Sequence, residues 1–149
     1  MSFPARALLL LVLLLACLSA VAQENPQLEQ QYVVDIELQT VQELHHLLQR
    51  AEQLLIEGKV PADAEAPVTF VLHGPVVRNL MRRNYLQNKE AVDLAASLSA
   101  LGVVDIKACR TWMGGNNVSE TDLQPFIETV TYGPAEVRRL IEERNYIYF

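Results

Sequence analysis

VTFVLHGP, residues 68–75, is an apolar run that ends in a sharp turn. Pro67 precedes the run, and Gly74-Pro75 follows the histidine. A short apolar run between such residues is the form of a strand that is covered on both faces, as in parallel sheets. The sequence therefore predicts a buried strand over 68–72.

Alternating strand and helix patterns surround this run. Thr40 and Glu43 form the capping-box pattern at the start of an amphipathic helix that ends near Gly58. Further helices are predicted at 76–81 and 90–101 and from Pro134 onward. Strands are predicted at 32–38, 103–109, 126–130 and 146–149. The alternation implies an α/β class, with one mostly parallel sheet of about five strands and helices on both faces. The sequence leaves the order of the strands in the sheet open.

The first 22 residues have the features of a secretory signal peptide. Arg6 precedes an apolar run from Ala7 to Ala16, and Ala20-Val21-Ala22 gives a small-x-small cleavage pattern. The run is shorter than the roughly 20 residues that span a bilayer, so we predict no membrane span. Residues 23–149 are then one domain, periplasmic or secreted. The alternative is a lipoprotein acylated at Cys17, because Leu14-Leu15-Ala16-Cys17 is similar to a lipobox.

The charge of the chain argues against nucleic acid as a partner. The formal net charge is −6, and all acidic residues lie beyond residue 22. An acidic domain repels a phosphate backbone. No Gly-x-Gly-x-x-Gly, Walker-type loop or Cys-x-x-Cys pattern is present, so we predict no cofactor. His45 and His46 are adjacent on a helix, share no face and lack further ligands, so we predict no metal.

Cys109 is the one thiol that remains after residue 22. It ends the predicted strand 103–109, and regular pleating points it to the same face as Asp105 and Lys107. In open parallel sheets, ligands bind beyond the carboxyl ends of the strands, where both Cys109 and His73 are predicted to lie.

These residues carry a family resemblance: Phe70-Val71-Leu72-His73-Gly74-Pro75, then Leu98 to Gly102-Val103, Ile106-Lys107-Ala108-Cys109, and Asn145-Tyr146-Ile147-Tyr148. In order and spacing the chain resembles the DsrE/DsrF-like family, in particular its exported members, over residues 33–149. The resemblance implies a flavodoxin-like three-layer fold and assembly into trimers or hexamers. It further implies a sulfur relay in which a cysteine, here Cys109, carries a persulfide. His73, Gly74 and Pro75 match the family's other motif.

Two hypotheses for Cys109 remain open. In the first, it forms a persulfide or mixed disulfide as a sulfurtransferase-like sulfur carrier, with Lys107 or Arg110 stabilising the anion and His73 acting as a donor or base. Its partner is then a sulfur-relay protein. In the second, the cysteine is buried and structural, and the strand ends bind a small anionic ligand or a protein without catalysis.

The residues that flank this site have their own alternatives. His73 either takes part in catalysis or holds the turn through hydrogen bonds. Gly74 is predicted to adopt a backbone angle that other residues resist, and Pro75 to fix the entry into a helix. Together they could place N–H groups toward an anion. Trp112 begins a predicted mobile loop over 112–117, and it either caps the Cys109 site, contacts a neighbouring subunit or packs in the core.

Overall fold

The computed structural model of the chain describes residues 30–59 and 65–149. The predicted signal peptide, its cleavage site and Cys17 lie outside these residues. Five parallel strands form one sheet: β1 (Tyr32–Glu37), β2 (Val68–His73), β3 (Val104–Cys109), β4 (Ile127–Val130) and β5 (Ile147–Tyr148). The order across the sheet is β4-β3-β2-β1-β5. The predicted α/β class with a parallel five-stranded sheet is confirmed.

Within the described residues, five α-helices connect the strands: α1 (Val41–Ile56), α2 (Val76–Asn79), α3 (Lys89–Ala100), α4 (Arg110–Gly115) and α5 (Gly133–Arg144). The same part of the chain also contains two 3-10 segments, Arg82–Gln87 and Glu120–Asp122. Among the helices that the structure describes, none combines the length and the apolar character required to cross a bilayer.

The strand order explains the three layers. From β1 to β4 the chain steps across the sheet in one direction, and the return from β4 to β5 reverses it, so right-handed crossovers place α5 on the opposite face from α1 and α3. The packing agrees with this. The larger core joins α1 and α3 to one face, and the smaller core contains Val33, Val71, Val137, Leu140 and Tyr146 beneath α5. The layers are those of flavodoxin, although flavodoxin has the order 2-1-3-4-5.

The apolar run at the start of β2 is the centre of the core. Residues 68–72 are all buried, and β2 pairs with β1 on one side and β3 on the other. Phe70 lies in register with Val34 and Ile106. The prediction of a strand covered on both faces is confirmed.

The start of α1 also follows the prediction. The Glu43 backbone N–H donates to Thr40 Oγ1 at 3.2 Å, and the Thr40 backbone N–H donates to Glu43 Oε2 at 2.9 Å. The backbone N–H groups of Thr40 and Gln39 hold the pKa of Glu43 below its usual value. The capping box thus gives hydrogen-bond acceptors to the backbone N–H groups of Thr40 and Glu43 at the start of α1.

One predicted loop is a helix. The prediction of a mobile loop over 112–117 is wrong, because α4 follows β3 directly and runs to Gly115. Buried Met113 anchors the turn, and its carbonyl accepts the backbone N–H groups of Asn116 and Val118. The glycines at 114 and 115, which disfavour helix, gave the loop-like pattern.

Candidate functional site

The carboxyl ends of β2 and β3 bring the two predicted functional residues to neighbouring positions. Leu72 lies in register with Ala108, so the next residues along each strand, His73 and Cys109, end adjacent strands. Both share the pleat of Val71, which faces α5. The predicted position of both residues at strand carboxyl ends is confirmed.

The Cys109 sulfur lies under the start of α5. The side chain is 3% exposed, and Sγ accepts a hydrogen bond from the backbone N–H of Gly133 at 3.2 Å. A Cβ on Gly133 would lie 3.2 Å from Val71 Cγ1 and 3.4 Å from Cys109 Cβ. A larger residue at the first position of the helix would therefore require Val71 or Cys109 to shift by a few tenths of an ångström.

His73 has a carboxylate partner that the sequence analysis missed. Its Nε2 lies 3.4 Å from Asp35 Oδ1, and the two side chains are 26% and 27% exposed. Asp35 belongs to β1, where its acidic side chain interrupts a run of apolar residues. That interruption was a signal in the sequence, but only the pairing of β1 with β2 shows which residue it serves.

The turn after His73 is held by Gly74. Its φ is +93°, in the region that favours glycine, and a Cβ there would lie 2.7 Å from Glu37 Cγ. Pro75 then occupies the N-cap of α2, and the Val76 N–H donates to the Leu38 carbonyl at 3.3 Å. The predicted special backbone angle at Gly74 is confirmed.

The two predicted cations are bound to other partners. Lys107 Nζ lies 2.9 Å from Asp105 Oδ2 and 3.1 Å from Glu128 Oε2. Burial alone would lower the pKa of Lys107, but its hydrogen bonds to Asp105 and Glu128 outweigh that effect and raise it. Lys107 therefore neutralises its own carboxylate neighbours.

Arg110 and Trp112 have partners other than the sulfur. Arg110 Nη2 donates to Thr131 Oγ1 at 2.8 Å, and Nη1 lies 3.6 Å from Glu120 Oε1. Trp112 packs against the larger core on the α1 and α3 side, with the Arg78 guanidinium 5.5 Å from its ring centroid. The structure thus forms two pairs at neighbouring strand ends, His73 with Asp35 and Cys109 with Gly133. Lys107 and Arg110 have other partners, and Trp112 packs with the larger core.

A groove of about 390 Å³ opens beside this cluster. Asp35 lines one side of it and Pro134, the second residue of α5, lines the other. The groove lies over the neighbouring strands β1 and β5, which contribute Asp35 and Tyr148 to its lining. Within residues 30–59 and 65–149, no group of three or more His, Cys, Asp or Glu side chains could hold a metal ion.

Comparisons with known proteins inform the fold alone. No protein-family model matches the chain, and no curated protein matches it. Among solved structures, the chain is similar to the protein of unknown function MTH1491 from Methanobacterium thermoautotrophicum, with 16% sequence identity and a TM-score of 0.62. The match covers 80% of this chain and 97% of that one, so the two share a fold over nearly the whole described region.

Proposed function

We propose that the protein is an exported member of the DsrE/DsrF-like family that handles sulfur or thiols through Cys109. The observation that carries the proposal is the position of Sγ, which accepts the Gly133 N–H at the N-terminus of a 12-residue helix. Helix N-termini stabilise negative charge, and the thiolate is the nucleophilic form of cysteine. The family resemblance on His73-Gly74-Pro75 and Cys109 supports the same reading.

The proposed step is the transfer of one sulfane sulfur atom. The Cys109 thiolate attacks the outer sulfur of a donor persulfide, so that one S–S bond forms as the donor's S–S bond breaks. The donor leaves as a thiolate and takes up a proton, for which His73, oriented by Asp35, is the nearby source. The sulfane atom keeps its oxidation level, so the step consumes no external oxidant or reductant.

The burial of Cys109 requires the covering segment to move. Gly133 closes over the sulfur, and the preceding residues Thr131 and Tyr132 are exposed. We propose that this corner opens locally, as exposed connections do at a fraction of the global unfolding free energy. Access to the sulfur is then gated by the junction of β4 and α5.

Sulfane loading tests this function. The folded protein is incubated with inorganic polysulfide, and the mass of the tryptic peptide that contains Cys109 is measured by mass spectrometry. We expect that peptide to gain one sulfur atom, which a reductant removes, and we expect no gain in Cys109→Ser. If the Cys109 peptide stays unmodified in the folded protein while an unfolded sample is modified, the proposed function is wrong.

Export and assembly belong to the same proposal. The intact mass of the chain recovered from an exporting cell should correspond to cleavage after Ala22. A mass with lipid attached to Cys17 would show a tethered protein instead. The resemblance implies a homo-oligomer, a trimer or a hexamer, which sedimentation equilibrium would detect.

A second candidate function is a binding module in which Cys109 is structural. The 3% exposure of its side chain favours this reading, because free cysteines are often inert core residues. In that case Cys109→Ser lowers the free energy of unfolding by about 1 kcal/mol or more and changes no sulfur uptake. The loading experiment separates the two.

A further inference from the structure

We propose that the groove between α5 and the β1–β5 edge binds a short cysteinyl peptide whose amino-acid end carries both a free ammonium and a free carboxylate. The inference rests on the proposed function and names the class of thiol that would exchange sulfur with Cys109. The groove lies on the face of the sheet that α5 covers, and it is lined by α5, by Asp35 of β1 and by Tyr148 of β5. Its volume of about 390 Å³ falls within the range of small-molecule sites.

Arg138 and Glu142 give the groove one charge of each sign with which a zwitterion can pair, and the third charged residue in the lining, Asp35, is paired with His73. Arg138 and Glu142 line the groove one helical turn apart on α5, and both are exposed. Within residues 30–59 and 65–149, neither of them forms an ion pair, although the neighbouring Arg139 pairs with Glu136. A guanidinium can bind a carboxylate with two hydrogen bonds, and a carboxylate side chain accepts from an ammonium.

The remaining walls suit the body of a peptide. Pro134 and Ile141 give the groove an apolar side along α5, and Tyr148 of β5, a residue that is 64% exposed, also lines it. Planar amide groups and methylene chains can pack against a tyrosine ring. An inorganic anion would leave these apolar surfaces uncovered.

The distance to the sulfur sets the size of the ligand. Asp35 at the groove belongs to β1, His73 to β2 and Cys109 to β3, and the three side chains share one face. Neighbouring strands lie about 4.8 Å apart, so the sulfur is about 10 Å from the strand that borders the groove. That span is too long for free cysteine and fits a thiol separated from the zwitterionic end by a peptide linkage.

A ligand without a reactive thiol tests the inference. The full chain is titrated with S-methylglutathione, and binding is followed by calorimetry and by NMR shifts of Tyr148. We expect saturable binding that weakens about fivefold in Arg138→Gln, the effect of one exposed charge contact. Arg83→Gln removes an exposed arginine outside the groove and should leave binding unchanged. S-methylcysteamine lacks the carboxylate. It should bind the unsubstituted protein no more tightly than S-methylglutathione binds the Arg138→Gln variant.

The outcomes distinguish this inference from the proposed function. Absence of saturable binding, or equal binding by Arg138→Gln and the unsubstituted protein, would overturn the groove assignment even if Cys109 accepts sulfur. Binding that depends on Arg138 supports the assignment. If Cys109 then fails to load sulfur, the groove remains a binding site for the peptide and the proposed function falls.

Discussion

Phe70→Ala is expected to lower the free energy of unfolding by about 3–5 kcal/mol, the range for truncating a buried phenylalanine. Phe70 is fully buried in β2, with Val34 of β1 and Ile106 of β3 in register on either side. The substitution removes the ring from the middle of the larger core and leaves a cavity that the flanking strands can close only in part. Urea unfolding measures the change as a lower midpoint at an unchanged slope.

Leu86→Ala is the matched control for this prediction. Leu86 is 84% exposed in the 3-10 segment before α3, so its truncation should change stability by no more than about 0.5 kcal/mol. Equal shifts for the two variants would show that Phe70 does not lie in the core.

Gly74→Ala is expected to lower the free energy of unfolding by about 1–3 kcal/mol, the usual cost of a strained backbone conformation. The Glu37 side chain could move away from the new methyl group, which would otherwise lie 2.7 Å from its Cγ. The φ of +93° cannot relax without displacing the turn that joins β2 to α2. Thermal unfolding should show the loss, and His73 should move relative to Asp35, which NMR of the His73 ring can detect.

Gly114→Ala serves as the control for the backbone argument. Gly114 lies in α4, its φ is not positive, and nothing lies within 4 Å of an added Cβ. Alanine there should be neutral or stabilising by about 0.5 kcal/mol, because glycine is unfavourable inside a helix. If both alanine variants behave alike, the turn at Gly74 does not need glycine.

The sequence predicted those elements whose signals are local. The apolar run 68–72 and the Thr40–Glu43 capping box depend on residues within a few positions of one another, and both are confirmed. The helix predicted at 90–101 is another local feature, and Gly102 directly after it has a φ of +68°, which is usual for a glycine that closes a helix. Local stereochemistry decides each of these features.

The partners of the site residues could not be predicted in this way. Asp35 and His73 are 38 residues apart, and Gly133 and Cys109 are 24 apart. Their contacts depend on the strand order, which places β1 beside β2 and sends α5 over the face of the sheet opposite α1 and α3. The pattern around Pro134 indicated a helix, but nothing in it indicated that the residue before it would contact a sulfur atom.

The strand order also explains why Lys107 does not act on Cys109 as predicted, by stabilising a thiolate. Periodicity placed Lys107 on the same face as Cys109, and that face is correct. The neighbouring strand β4 supplies Glu128, which together with Asp105 binds the ammonium group. A backbone N–H of α5, rather than a basic side chain, is therefore the donor at the sulfur.

The rate at which iodoacetamide alkylates Cys109 in the folded protein tests the central claim most directly. If the corner over the sulfur opens locally, labelling proceeds without denaturant, and its rate is nearly constant at urea concentrations below the unfolding transition, because a small opening exposes little surface. Peptide mapping assigns the label to Cys109. A rate that is negligible in buffer and rises with urea only in parallel with global unfolding would contradict the account and leave Cys109 as a structural residue.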